Sequence, residues 1–214
     1  MITLTATITI NEQETITIDS KNLVSISSSI FDRSDIKRPS YGIISNTGRL
    51  EFNDYDGKFL NYVEKGLLTS DLPIVIFLNN TLSKAQQQIA TFETREWNYD
   101  ANNKSVSVTL KDNLEEWQDI FINKHRYSHI DNTELPMSIL YKMLKSQTPA
   151  KYQMLKFSEL DDKTQSILNN TIVPYDILNE GNLWAQWHKL CEVCALYIFK
   201  NKEGKTICTY TYGS

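Results

Sequence analysis

From Ile2 to Ile10 apolar and polar residues alternate almost without a break, with Ile2, Leu4, Ala6, Ile8 and Ile10 on one side and Thr3, Thr5, Thr7 and Thr9 on the other. After the polar Asn11-Glu12-Gln13-Glu14, the residues Thr15, Ile16, Thr17 and Ile18 resume the same period. A period of two belongs to a strand with one buried face, and both Thr and Ile are β-branched, so the pattern predicts a β-hairpin. Solvent is the expected environment of the threonine face. The functional alternative is pairing with a neighbouring subunit, since an accessible strand edge invites addition.

The same reading continues along the chain. Leu23 to Phe31 is β-prone, and Asp32 to Pro39 makes a charged loop. Tyr41 to Asn53 reads as two strands about the turn Asn46-Thr47-Gly48. Phe59, Leu60, Tyr62, Val63 and Leu67 fall near helical spacing and predict a helix over Lys58 to Leu68. Leu72 to Leu78 is a short, strongly apolar strand, followed by a hairpin of Ile89 to Tyr99 and Ser105 to Leu110. Many short strands with one helix fit a small barrel or sandwich. The character then changes: Asn123 to Thr133 is polar and loop-like, Met137, Ile139, Leu140, Met143 and Leu144 have helical spacing, Ser158 to Asn170 holds room for a second helix, and Thr171 to Ile177 reads as a strand. The best-defined helix runs from Leu183 to Ala195, with Leu183, Trp184, Trp187, Leu190, Cys191 and Cys194 on one apolar stripe as candidate core and Gln186, Lys189 and Glu192 opposite. It leads into Leu196 to Phe199, the turn Asn201 to Gly204, and Lys205 to Tyr210. The expected class is α+β, mainly β, with two small barrel-like domains over residues 1–122 and 123–214 and a few packed helices.

Composition narrows the function classes. The chain has 214 residues, 41% hydrophobic, enough for such a core. A net charge of −4 removes a whole-chain basic balance for gripping nucleic acid. No run approaches the length of a membrane span, and Met1 to Thr5 has neither the basic nor the apolar region of a signal peptide. Three cysteines suit a reducing compartment of synthesis and argue against a disulfide scaffold.

Candidates for chemistry fail one by one. Cys191-Glu192-Val193-Cys194 has C-x-x-C spacing, but it lies in the last turns of a helix, not at the start where a helix dipole activates a thiol, and no second pair completes a zinc site. His125 and His129 are four apart in a segment without helical periodicity. Asp54-Tyr55-Asp56-Gly57 opens like a calcium loop, yet Gly57 arrives too early and the later ligands are missing. Asp112, Glu115, Glu116 and Asp119 read as surface charge, and phosphate-binding glycine loops are absent. No catalytic residue, cofactor or metal is expected.

Two stretches carry a resemblance. The first is Ser45 to Gly57, a strand, turn and strand, followed by a helix, the apolar strand Pro73 to Leu78, and Trp97-Asn98-Tyr99-Asp100 leading to Val106 through Leu114. The second is Asn182 to Phe199, closing with Lys202-Glu203-Gly204-Lys205. Together they resemble the tail-hub proteins of phages and related contractile systems, a family that includes myophage baseplate hubs and siphophage tail-associated proteins. The resemblance implies barrel-like domains, a homotrimeric ring with a central channel for DNA, and contacts with the distal-tail ring, the tape-measure protein and tip or fibre proteins. It implies a chain made in the host cytoplasm and carried in the virion tail. Many relatives carry a wall-degrading domain beyond the hub, so a chain ending at Ser214 either lacks that part or is a fragment. For a ring subunit, Thr3, Thr5, Thr7, Thr9, Ile74 and Ile76 are the candidate subunit contacts. The competing readings are a carbohydrate- or receptor-binding sandwich at a tail tip, with Trp97, Tyr99 and Trp117 as stacking candidates, and a peptidoglycan-cleaving enzyme, which would need a buried acid pair or metal site.

Overall fold

A computed structural model describes residues 2–28, 41–80, 82–122, 134–174 and 181–211. The chain is α+β and mainly β, and it divides into two compact units that do not follow a single cut: the first falls within 1–36, 46–112 and 201–204, the second within 37–45, 113–200 and 205–214. The expected charged loop at 32–39, the loop at 123–133 and the end of the strand at 175–177 lie outside the described residues.

The first unit is one seven-stranded sheet. Its strands are β1 (Ile2–Asn11), β2 (Glu14–Ile18), β3 (Leu23–Ser28), β5 (Thr47–Asn53), β6 (Pro73–Asn80), β7 (Ala85–Asp100) and β8 (Ser105–Lys111), in the order β2-β1-β6-β7-β8-β5-β3, every neighbouring pair antiparallel. Alternation places Ala6, Ile8, Ile16, Ile18, Leu50, Phe52, Ile74, Ile76, Phe92, Val106, Val108 and Leu110 in one core. Strand β7 serves two partners in turn. Its first half pairs with β6 through Glu93, its second half pairs with β8, and the register shifts between Thr94 and Trp97. Such a bulge bends the strand and wraps the sheet around the core. The buried Thr94 is fixed there by its own backbone bonds to Asp71 and Leu72 and by its hydroxyl, which donates to the Thr69 carbonyl at 3.2 Å. Wrapping stops short of a barrel: among the described strands, β2 and β3 end the sheet without pairing to each other.

Helix α1 (Lys58–Glu64) packs on the core of this sheet through Phe59 and Tyr62. Phe59 packs on Phe52 of β5 with ring centroids 4.4 Å apart, and the Tyr62 hydroxyl donates to Glu14 of β2 at 2.5 Å. That hydrogen bond pushes the Tyr62 phenol above its ordinary pKa, because it favours the protonated form. Asp54 caps the helix, accepting from the backbone N–H groups of Phe59 and Leu60, each at 3.0 Å, so the loop that opens like a calcium site is a helix start. The helix is shorter than its apolar spacing suggests. Gly66, at φ +64°, donates to the Val63 carbonyl, and Leu67 donates to the Tyr62 carbonyl, the paired bonds of a Schellman termination. Asp54→Ala should cost about 1–2 kcal/mol and speed amide exchange at Phe59 and Leu60; hydrogen exchange with thermal unfolding checks both.

The second unit packs helices α2 (Met137–Gln147), α3 (Asp162–Asn170) and α4 (Leu183–Cys194), with the 3-10 helix Asn113–Asp119, around one core. Three small sheets complete it: β4 (Gly42–Ile43) with β13 (Tyr197–Lys200) and β14 (Thr206–Thr209), β9 (Phe121–Ile122) with β12 (Gly181–Asn182), and β10 (Glu134–Pro136) with β11 (Ile172–Pro174). No barrel forms among these strands, whose short ladders leave the helices to supply most of the core. Polar caps set where helices begin, with Asp161 accepting from the Thr164 N–H and Asn182 from the Ala185 N–H, both at 2.8 Å. Trp187 sits at the centre, 5.1 Å from the Tyr141 ring and 6.1 Å from the Trp117 ring, donating from Nε1 to the Thr148 hydroxyl at 3.1 Å. Leu183, Trp187, Leu190, Cys191 and Cys194 are buried, and Trp184 is half-buried at the margin. Gln186 is buried too, against its expected place on the polar face, since the core surrounds more of α4 than one stripe.

Candidate assembly surface

The candidate surface is the periphery of the first unit's sheet, and it begins with the ends. Strand β2 reads Glu-Thr-Ile-Thr-Ile and β3 reads Leu-Val-Ser-Ile-Ser-Ser. Neither contains lysine, arginine or proline, and neither has a hydrogen-bonded partner on its outer edge among the described residues. Native sheets ordinarily protect such edges with those residues or with a covering element. Val24, where the β3 register shifts, is 58% exposed. The outward side of α1 adds Leu60 and Val63, with Tyr55 just before the helix and Leu67 just after it, all exposed.

The threonines lie elsewhere on the same sheet. Thr3, Thr5, Thr7 and Thr9 are partly exposed on the outer face of β1, joined by the exposed Thr15 and Thr17 of β2. Strand β1 itself lies between β2 and β6, so the free edge of the hairpin belongs to β2. The Thr5 hydroxyl accepts from Asn79 Nδ2 at 3.0 Å, which ties this face to β6. Ile74 and Ile76 need correction as subunit contacts: both are fully buried in the core, because β6 is an interior strand that turns them inward. Their neighbours Val75 and Phe77 are the half-buried residues of β6 that point outward.

The stacking candidates do not converge. Trp117 is fully buried in the second unit, while Trp97 and Tyr99 pack against the core of the first, with Trp97 Nε1 donating to the Thr69 carbonyl at 3.0 Å. Outside β5, β7 and β8 runs a shallow polar groove of about 350 Å3, lined by Val24, Arg49, Glu51, Asn53, Asn98 and Ser105 among others. Arg49 is held there by Glu51 at 2.9 Å and donates to the Ser107 hydroxyl at 3.3 Å. The groove presents no exposed aromatic face, and its polar groups are those of a solvated sheet surface.

The remaining chemical candidates find structural roles. His125 and His129 lie outside the described residues. Asp112, expected at the surface, is buried and accepts from the Asn46 N–H at 2.6 Å, which pins β5 beside β8. Glu116 accepts from Lys151 at 2.7 Å and from the Tyr152 hydroxyl at 3.0 Å. The three thiols are buried and free, and among the described residues none of them belongs to a cluster of three or more potential metal ligands, nor does His188. Burial pushes the Cys194 thiol up to about 11 and the Cys191 thiol well above its usual value, the opposite of activation.

No protein-family model matches the chain, and no curated protein matches it in sequence. Among solved structures it is similar to the tail protein from Neisseria meningitidis MC58, with a TM-score of 0.54 and 10% identity over 97% of this chain and 50% of that one. It is also similar to the 43 kDa tail protein of prophage MuSo2 from Shewanella oneidensis, with a TM-score of 0.49 and 8% identity over 97% of this chain and 52% of that one. The chain thus spans about half the length of these structures, and the Neisseria likeness is one of fold. No helix among the described residues is long and apolar enough to cross a membrane.

Proposed function

We propose that the chain is a structural subunit of a phage-type tail, built into the hub as a ring of three copies. The observation that carries this reading is the open sheet whose end strands, β2 and β3, have no strand partner on their outer edges among the described residues. If the β2 edge of one copy adds to the β3 edge of the next, the contact is head-to-tail, and such contacts close into rings when the rotation allows. The resemblance of Ser45–Gly57 and Asn182–Phe199 to hub proteins supports the class, as does the fold shared with a protein described as a tail protein. On this reading the face of Thr3, Thr5, Thr7 and Thr9 is a further contact. The distal-tail ring and tape-measure protein join one side, tip or fibre proteins join the other, and DNA crosses the opening. A net charge of −4 suits passage without adhesion. The subunit is made in the host cytoplasm, travels in the virion tail and performs no catalytic step.

Light scattering on the purified chain at tens of micromolar tests the ring. The expected result is a trimer, converted to a monomer by Val24→Lys with Ser27→Lys on β3, or by Thr15→Lys with Thr17→Lys on β2, with circular dichroism unchanged. Mixing the two variants should give a dimer and stop there, since one intact edge of each remains. A wild-type chain that stays strictly monomeric, or edge variants that remain trimeric, would count against the proposal.

A further inference from the structure

Strand direction reverses at every step across the seven-stranded sheet, because each neighbouring pair is antiparallel. With an odd number of strands, the two at the ends, β2 and β3, run the same way. Within one copy they cannot pair with each other. A parallel pair needs a crossover of about a dozen residues or more, and only residues 19–22 join β2 to β3. Those residues fold as a turn in which the Leu23 N–H donates to the Asp19 carbonyl at 3.0 Å. The two strands nevertheless match in pattern. Thr15 and Thr17 of β2 are exposed on either side of the buried Ile16. Ser25 and Ser27 of β3 are exposed opposite Glu51 and Arg49, while Ile26, opposite the buried Leu50, packs against the core.

We propose that the seam between copies is a parallel ladder, β2 of one copy against β3 of the next, with Thr15 beside Ser25, Ile16 beside Ile26 and Thr17 beside Ser27. This rests on the ring reading above. Rotation about a three-fold axis turns a strand by at most a third of a turn, never end for end, so ring neighbours meet in parallel. Reversal needs a two-fold axis, which pairs β2 with β2 or β3 with β3 and makes dimers instead. A slip of one residue would turn Ile26 outward and Ser25 inward, so the register moves only in steps of two. The register named sets hydroxyl beside hydroxyl on the outer face and isoleucine beside isoleucine on the inner one, with no charged side chain in the three pairs.

Paired cysteines read the direction. The full chain carrying Thr15→Cys with Ser25→Cys, or Thr17→Cys with Ser27→Cys, is oxidised with glutathione disulfide at tens of micromolar and run on a non-reducing denaturing gel. All four positions are exposed, so the fold should be kept, and circular dichroism and light scattering before oxidation check it. Both matched pairs should give covalent trimers. The crossed pairs, Thr15→Cys with Ser27→Cys and Thr17→Cys with Ser25→Cys, should give about tenfold less, since their members stand two residues out of step, about 7 Å along the strand and beyond the reach of a disulfide. Peptide mapping should join the engineered cysteines and leave the buried native ones free. A trimer that links best through the crossed pairs, that links single-cysteine variants to their own copies, or that links through no pair overturns the parallel ladder and leaves the ring standing. A monomeric wild-type chain overturns both.

Discussion

Trp187→Ala should destabilise the second unit by about 3–5 kcal/mol, the range found when a large buried aromatic is deleted. The ring is fully buried between Tyr141 and Trp117, so neither side can collapse into the space without breaking the other contact. The indole N–H adds specificity. Trp187→Phe keeps most of the volume but gives up the bond to the Thr148 hydroxyl, which itself donates to the Leu144 carbonyl at 2.9 Å. Trp117 offers the internal control. Its indole N–H has no acceptor among the described residues, so Trp117→Phe forfeits no hydrogen bond and should cost less than Trp187→Phe. Denaturant unfolding followed by tryptophan fluorescence measures all three; equal costs for the two phenylalanine variants would remove the role assigned to Thr148.

Gly42→Ala is the second large effect, about 2–4 kcal/mol, from two causes that can be separated. Gly42 has φ +150°, which an L side chain adopts only with strain, and a Cβ there would lie 2.4 Å from Cε1 and 2.6 Å from Nδ1 of His188. The site matters because β4 is only two residues long. Its parallel pairing to β13 rests on Gly42 donating to the Leu196 carbonyl at 3.1 Å and Ile44 donating to the Ile198 carbonyl at 2.8 Å. Adding His188→Ala to Gly42→Ala removes the clash but not the backbone strain. A double-mutant cycle should therefore return about half of the loss. No recovery would assign the whole cost to backbone conformation.

Both positions bear on what can be seen in a sequence. The alternation of Ile and Thr at the start of the chain is a local signal, and it specifies which side of β1 faces the core. It does not specify that β1 lies between β2 and β6, because β6 arrives some seventy residues later and its pairing is decided by the whole sheet. The apolar run Pro73 to Leu78 misled for the same reason. Periodicity marks such a run as apolar without saying whether one face, both or neither is covered, and only the interior place of β6 buries Ile74 and Ile76. The amphipathic stripe of α4 was readable, but not the burial of Gln186, since its cover comes from distant elements. Asp54 was readable as a turn residue and became a helix cap, a role that needs only its six following residues.

Strand β7 has a mechanical meaning. Its ladders to β6 and to β8 overlap only at Glu93, and Arg95 and Glu96 take no place in either register. Three strands flank β7 on each side, and the β8 ladder runs past the gap, with Thr94 opposite Leu110 before it and Trp97 opposite Val108 after it. Strand β8 therefore acts as a splint laid along the bulge, so the bend is held as a fixed kink. The curvature of the whole sheet is thereby set in one strand and braced by its neighbour.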